Sequence, residues 1–175
     1  MEYDLTIDGL VSQTATFILE EVPAVSSQGE WLERVVIDEM FGFNPNFHDI
    51  IETHSVIDGK SIHTRVKEYL MIDTIKSNLC RTIDRATESS IIAFAGDAVT
   101  QRNKTAKSIQ LVRKEVAGTI TVEEKAMLDV LDAMFAQVET MIADGNAKEL
   151  IVNNVNITIP ELEQFIASLP IAPVV

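Results

Sequence analysis

Residues 121–144 constrain this chain more than any other stretch. Leu128, Leu131, Phe135, Val138 and Ile142 recur three or four positions apart, so at 3.6 residues per turn they fall on one helical stripe. Met127, Met134 and Met141 run beside it. An apolar face this wide is not stable against water along a whole helix, so it must pack on a neighbour in the same chain or in another. Thr121 with Glu124 three residues later forms a capping box that marks the start of this helix, and Gly145 marks a stop of the kind a C′ glycine provides.

The preceding residues extend the helical pattern upstream. Asp97 opens a helix that carries Val99, Ala106, Ile109, Val112 and Val116 inward and the basic residues outward, and Gly118 ends it. Joined by about four residues, the two helices are predicted to form an antiparallel hairpin. Further back, Ile62, Val66, Tyr69, Ile72, Ile75, Leu79, Ile83 and Ala86 repeat at the same spacing, which predicts a long helix capped by Ser61 and continuing through Ile91 and Phe94 to Gly96. At about 1.5 Å per residue it would be on the order of 50 Å long. That exceeds the width of a compact domain of this size, so the helix must either break near Ser89-Ser90 or project.

Both flanks read as extended. Tyr3, Leu5 and Ile7 share one face before Asp8-Gly9, a favoured two-residue hairpin turn, and a second extended run over 14–22 stops at Pro23. Residues 23–29 form a connector rich in Pro, Ser and Gly. Trp31, Leu32, Val35, Val36 and Met40 fit a short helix ending near Gly42. Asn44-Pro45-Asn46 is a turn, 49–57 fits a strand, and Asp58-Gly59 is another turn. At the other end Leu150, Ile151 and Val152, a turn at Asn153-Asn154, and Val155, Ile157 and Ile159 predict a β-hairpin. Thr158 and Glu161 then open a short helix around Pro160, with Leu162, Phe165, Ile166 and Leu169 on its apolar side. The last five residues, including Ile171, Val174 and Val175, are nearly all apolar, which suggests docking on something. The expected fold class is α+β: a helical hairpin plus a long helix, with small β-hairpin elements at the N- and C-terminal ends. Its parts are a β-containing module with one helix (1–60), a three-helix region (61–147) and a terminal hairpin with a short helix (148–175).

Charge and composition narrow the function classes. An apolar content of 46% with 23% charged residues is that of a folded chain. A net charge of −13 with 14 Lys and Arg argues against nucleic-acid binding, which needs a basic patch. The local run of Arg102, Lys104, Lys107, Arg113 and Lys114 reads as a solvated helix face or a surface for an acidic partner. No secretory signal is expected at the N-terminus, and no stretch approaches the roughly 18 apolar residues of a membrane span. The single cysteine, Cys80, reads as a partly buried packing residue.

Candidate chemistry is sparse. His48, His54 and His63, with Asp49, Glu52 and Asp58, form the one group suggestive of a metal, but they lack a helical His-x3-His or paired-Cys spacing, so loop residues are the expectation and no metal or cofactor is predicted. Glu20-Glu21 and Glu123-Glu124 are adjacent carboxylates that point apart on a strand or helix. Ser89 and Ser90 have no nucleophile-elbow context, and the seven glycines make no phosphate loop. The three methionines at 127, 134 and 141 suit core packing better than an adaptable groove.

One segment resembles a known family. Gln101-Arg102-Asn103, Leu111, Arg113-Lys114, Gly118, Thr121-Val122-Glu123-Glu124, Leu128-Asp129, Leu131 and Phe135 resemble a helical hairpin that recurs in bacteriophage tail-fibre and tail-fibre-assembly proteins, over residues 99–147. Two features depart from that pattern: Ala98 and Val99 stand where a Trp usually precedes Q-R-N, and the turn is Gly118-Thr119-Ile120. The resemblance implies a non-enzymatic structural protein of a phage tail, in the fibre or baseplate region, located in the virion. Its partners would be other tail proteins, within a homo-oligomer or symmetric assembly, with no nucleic acid and no membrane. An assembly chaperone absent from the finished particle, and a small acidic host-directed phage protein, are the alternatives. The expected interface comprises Leu128, Leu131, Phe135, Val138 and Ile142 with the terminal Ile171, Val174 and Val175.

Overall fold

The computed structural model describes residues 1–7, 10–16 and 29–169. The fold is α+β; the described residues form a curled five-stranded sheet and four helices, and the chain divides into two units, Met1–Met71 and Ile72–Val175.

The first unit is the sheet. Its strands are β1 (Glu2–Ile7), β2 (Leu10–Thr16), β3 (Glu30–Glu39), β4 (His48–Ile57) and β5 (Lys60–Tyr69), in the order β2-β1-β3-β5-β4. All neighbours are antiparallel except β3 and β5, which run parallel. The N-terminal hairpin is present as β1 and β2, with Ile7 paired to Leu10; its turn residues Asp8 and Gly9, and part of the run expected over 14–22, lie outside the described residues. The strand expected over 49–57 is β4. It turns into β5 through Asp58 (φ 52°) and Gly59 (φ 71°), two successive left-handed residues that match a type I′ turn to the twist of the strands it joins.

Two expected helices in this region are strands. Of residues 31–40, all but Met40 lie in β3, because Val35, Val36 and Ile37 are β-branched and the strand pairs on both sides, with β1 and β5. Val35, Val36 and Ile37 in succession put apolar side chains on both faces of the strand, so its apolar positions also satisfy a helical spacing. Residues 61–69 form β5, not the first turns of a long helix, and Ser61 is a buried strand residue instead of an N-cap. Strict alternation is present there: Ser61, His63, Arg65 and Lys67 take one face, Ile62, Thr64 and Val66 the other.

The second unit holds α1 (Ile72–Ala95), α2 (Ala98–Val116), α3 (Val122–Val152) and α4 (Ile159–Ser168). Starting at Ile72, α1 has 24 residues, about 36 Å at 1.5 Å per residue, and runs unbroken past Ser89-Ser90. It buries Ile75, Leu79 and Ile83. Gly96 (φ 89°) ends it, and its last carbonyls are taken by α2: Gln101 Nε2 donates to Gly96 O at 2.6 Å and Lys104 Nζ to Ala95 O at 2.9 Å.

The expected hairpin of α2 and α3 is present, and local signals set its ends. Asp97 caps α2 by accepting from Thr100 N at 2.8 Å. Gly118 (φ 67°) follows the end of α2, and the Thr121–Glu124 capping box opens α3 with both hydrogen bonds at 3.2 Å. Ion pairs of Lys114 with Glu124 and Lys125 with Glu115 link the two ends.

Gly145 does not end α3. It is buried mid-helix, and α3 continues to Val152, so Leu150, Ile151 and Val152 form its last turn in place of the expected C-terminal β-hairpin. Val152 is fully buried, which rewards the helix where β propensity alone favours a strand. Asn153 caps α3, and its Nδ2 donates to Cys80 Sγ at 3.4 Å; burial pushes the half-buried Cys80 thiol up. The helix expected around Pro160 is α4, where Glu161 Oε2 accepts from Thr158 N and Oγ1 at 2.8 and 2.7 Å. Among the described residues no helix is long and apolar enough to cross a membrane.

Candidate functional site

The sheet unit carries a buried polar cluster on one face. The Asp58-Gly59 turn sets the β4–β5 register, Ile57 opposite Lys60, and counting back from it places His54 directly opposite His63. Their rings lie 4.9 Å apart between centroids, inclined by 50°. Ser61 shares their face, two residues before His63. Asp4 comes from β1, two strands away in the sheet order, and the curl of the sheet brings its carboxylate onto the β5 side chains.

Asp4 and Ser61 are each fully shielded from solvent. Asp4 Oδ2 lies 2.6 Å from Ser61 Oγ and 2.5 Å from His63 Nε2, while Thr14 Oγ1 donates to Asp4 Oδ1 at 2.7 Å. Ser61 Oγ lies 2.9 Å from His54 Nε2 and 3.2 Å from His63 Nε2. One proton assignment satisfies the set: His54 Nε2–H donates to Ser61, Ser61 and His63 Nε2–H donate to Asp4, and Thr14 closes the remaining carboxylate oxygen. Burial raises the Asp4 carboxyl, but hydrogen bonds from Ser61, Thr14 and His63 and the field of His63 outweigh it and hold the group below the usual carboxylate range.

This is not the relay of a serine hydrolase. There, an imidazole sits between the acid and the hydroxyl, using one nitrogen for each. Here Ser61 gives its proton directly to Asp4, His63 faces both partners through the same nitrogen, and the hydroxyl is sealed from any substrate. What converges is a donor set of two imidazole nitrogens and a carboxylate oxygen, all within 4.8 Å of one another.

Of the group suggested by spacing, the structure joins His54 and His63 and leaves the others out. His48 is a packing residue, 5% exposed, with its ring 4.6 Å from Tyr69 and its Nδ1 accepting from Asn44 N at 3.1 Å. Asp49 bonds its neighbouring backbone at Ile50, Glu52 pairs with Arg65 at 3.0 Å, and Asp58 forms the turn. Asp4 and Ser61 escaped sequence reasoning because 50 or more residues separate Asp4 from its histidines; the readable signal was the alternating polar face of β5.

Comparison with protein-family models, curated protein sequences and solved structures yields no match.

The helical unit places the expected interface residues differently from expectation. Leu128 and Leu131 are buried at 1% and 9% exposure with Leu111 of α2, and Phe135, Met134 and Ile120 pack on that core. Leu128 and Leu131 thus pack within the chain, and Phe135 is partly covered there. Val138 is half-buried. Ile142 stays 45% exposed and lines a groove of about 370 Å³ with Ile91, Ile92 and Ala98. Ile171, Val174 and Val175 lie outside the described residues. Besides Ile142, the outward apolar surface includes Val122 and Val130 on α3 and, against the expectation that they face inward, Val99, Ile109, Val112 and Val116 on α2.

Proposed function

We propose that this chain is a structural subunit of a bacteriophage tail, in the fibre or baseplate region, that acts by packing against other tail proteins and not by catalysis. The observation that carries this reading is the α2–α3 hairpin: the segment resembling tail-fibre hairpins is an independently capped, antiparallel helix pair with its own leucine core. With Leu128 and Leu131 committed to that core, the contact with neighbours falls to Ile109, Val112 and Val116. They share one stripe of α2, and Val116 is 85% exposed. Such surfaces also suit a chaperone that engages tail proteins only during assembly, so the deciding experiment is one of location.

Quantitative mass spectrometry of purified particles tests the reading. The expected result is the polypeptide present at a copy number that is a multiple of three or six, in the virion, within a homo-oligomeric ring or symmetric fibre attachment. Absence from particles, with the protein abundant in infected cells, overturns the structural reading in favour of the chaperone or host-directed one. Val112→Asp with Val116→Asp should remove the chain from particles while leaving its helical signal unchanged.

A further inference from the structure

We propose that Asp4, His54 and His63 bind a divalent first-row transition metal ion such as zinc, which staples β1 to the β4–β5 hairpin. Three observations carry it. The donors are of the right kind: two imidazole nitrogens and one carboxylate oxygen are a set that zinc and its neighbours accept. They also converge, lying within 4.8 Å of one another. Metal bonds of about 2.1 Å at a tetrahedral angle place ligand atoms roughly 3.4 Å apart, so ring rotations of His54 and His63 and an opening of the 2.5 Å Asp4–His63 contact close the difference.

The surroundings are those of a metal site as well. Thr14 holds the Asp4 carboxylate from behind through Oδ1, the orienting role that outer hydrogen bonds play for ligands, while Ser61 Oγ lies among the three donors, 2.6 Å from Asp4 Oδ2, 2.9 Å from His54 Nε2 and 3.2 Å from His63 Nε2, and turns aside for an ion to enter. Asp4 is sealed while both histidines are partly exposed, so an ion has a donor buried beneath it and an entry side open to water. That open side leaves a fourth position for a water molecule.

The third observation is a need. Among the described residues of the sheet unit only Tyr3, Leu5 and Phe47 are buried apolar side chains, while Asp4, Thr6, His48 and Ser61 are buried polar ones. Small units with so little apolar core commonly rely on a disulfide, a metal or association. The one cysteine of the chain, Cys80, lies in α1, so no disulfide is available to it. An ion here would join residues 50 and 59 positions apart, closing loops whose entropy is otherwise lost on folding.

The test is calorimetric titration of the chelator-treated full chain with zinc chloride, alongside cobalt(II) substitution read by visible absorption. One ion per chain is expected, with the d–d bands of a tetrahedral nitrogen–oxygen site and a raised melting temperature. His54→Gln and His63→Gln should each weaken binding by at least about tenfold, and Asp49→Asn should leave it unchanged. Zinc should also protect His54 and His63 of the unmodified chain from diethyl pyrocarbonate, a readout that does not depend on any variant folding. No saturable binding to the folded chain overturns the proposal, as does binding that survives in the double histidine variant or is lost equally in Asp49→Asn.

Discussion

Gly145 of α3 lies against Thr87 of α1 so closely that a Cβ on the glycine would stand 2.7 Å from Thr87 Oγ1 and 3.3 Å from its Cγ2. The glycine is there for approach and not for a turn. Gly145→Ala therefore sets two effects against each other. Alanine gains about 1 kcal/mol of helix propensity, but overpacking against a stiff β-branched side chain costs about 1–3 kcal/mol. A net loss of stability is expected in urea denaturation. With Thr87→Ala the nearest remaining atom is the residue 87 Cβ at 3.5 Å, an ordinary contact. On that background Gly145→Ala should stabilise, and a loss in both backgrounds would refute the packing account.

The Asp58-Gly59 turn offers a backbone test. Nothing lies within 4 Å of a Cβ at Gly59, so a side chain there meets no neighbour and only the φ of 71° resists it. Gly59→Ala should destabilise the sheet unit by about 1–2 kcal/mol, whereas Gly59→Asn should cost clearly less because asparagine tolerates the left-handed region. Equal losses from the two would mean that something other than φ governs this position.

Burial and exposure divide the apolar residues of the hairpin. Leu128→Ala, at 1% exposure, should cost about 2–5 kcal/mol and lower the melting temperature followed by circular dichroism. Val116→Asp, at 85% exposure, should change stability by less than about 0.5 kcal/mol. If the two variants melt alike, Leu128 is not in a core.

Acid should relieve one site in the helical unit. Burial and the neighbouring Asp84 raise the Glu149 carboxyl above its usual value of 4.5. A raised folded-state value means the folded chain holds this proton more tightly than the unfolded chain. The associated stability is present in acid and lost as pH rises through the raised value. Glu149→Gln should therefore raise the melting temperature at pH 7, and its advantage should shrink through mildly acidic pH and vanish below about 4.5. An advantage that does not change with pH would exclude the Asp84–Glu149 repulsion as its source.

What was legible in the sequence was local. Asp97, Gly118, Thr121 with Glu124, and Thr158 with Glu161 each act within one turn of chain, and each marks a real helix end. The Asp58-Gly59 turn belongs to the same class. Where pairing partners are distant, spacing misled: residues 31–40 and 61–69 satisfy a helical period, but β3 pairs with β1 and with β5 across tens of residues of chain. The polar cluster was hidden for the same reason, since Asp4 meets its partners only through the curl of the sheet. At residues 150–152 β-branched side chains suggested a strand, and the buried seat of Val152 overrode them.

The unbroken length of α3 carries a mechanical consequence. Its first half seats Leu128 and Leu131 on α2, and its second half seats Gly145 on α1, so one continuous rod of 31 residues bears both packings. A load applied to α2 passes along that rod to α1 without crossing a flexible joint. The helical unit should accordingly yield to force in a single step, as one strut giving way and not as a series of hinges opening.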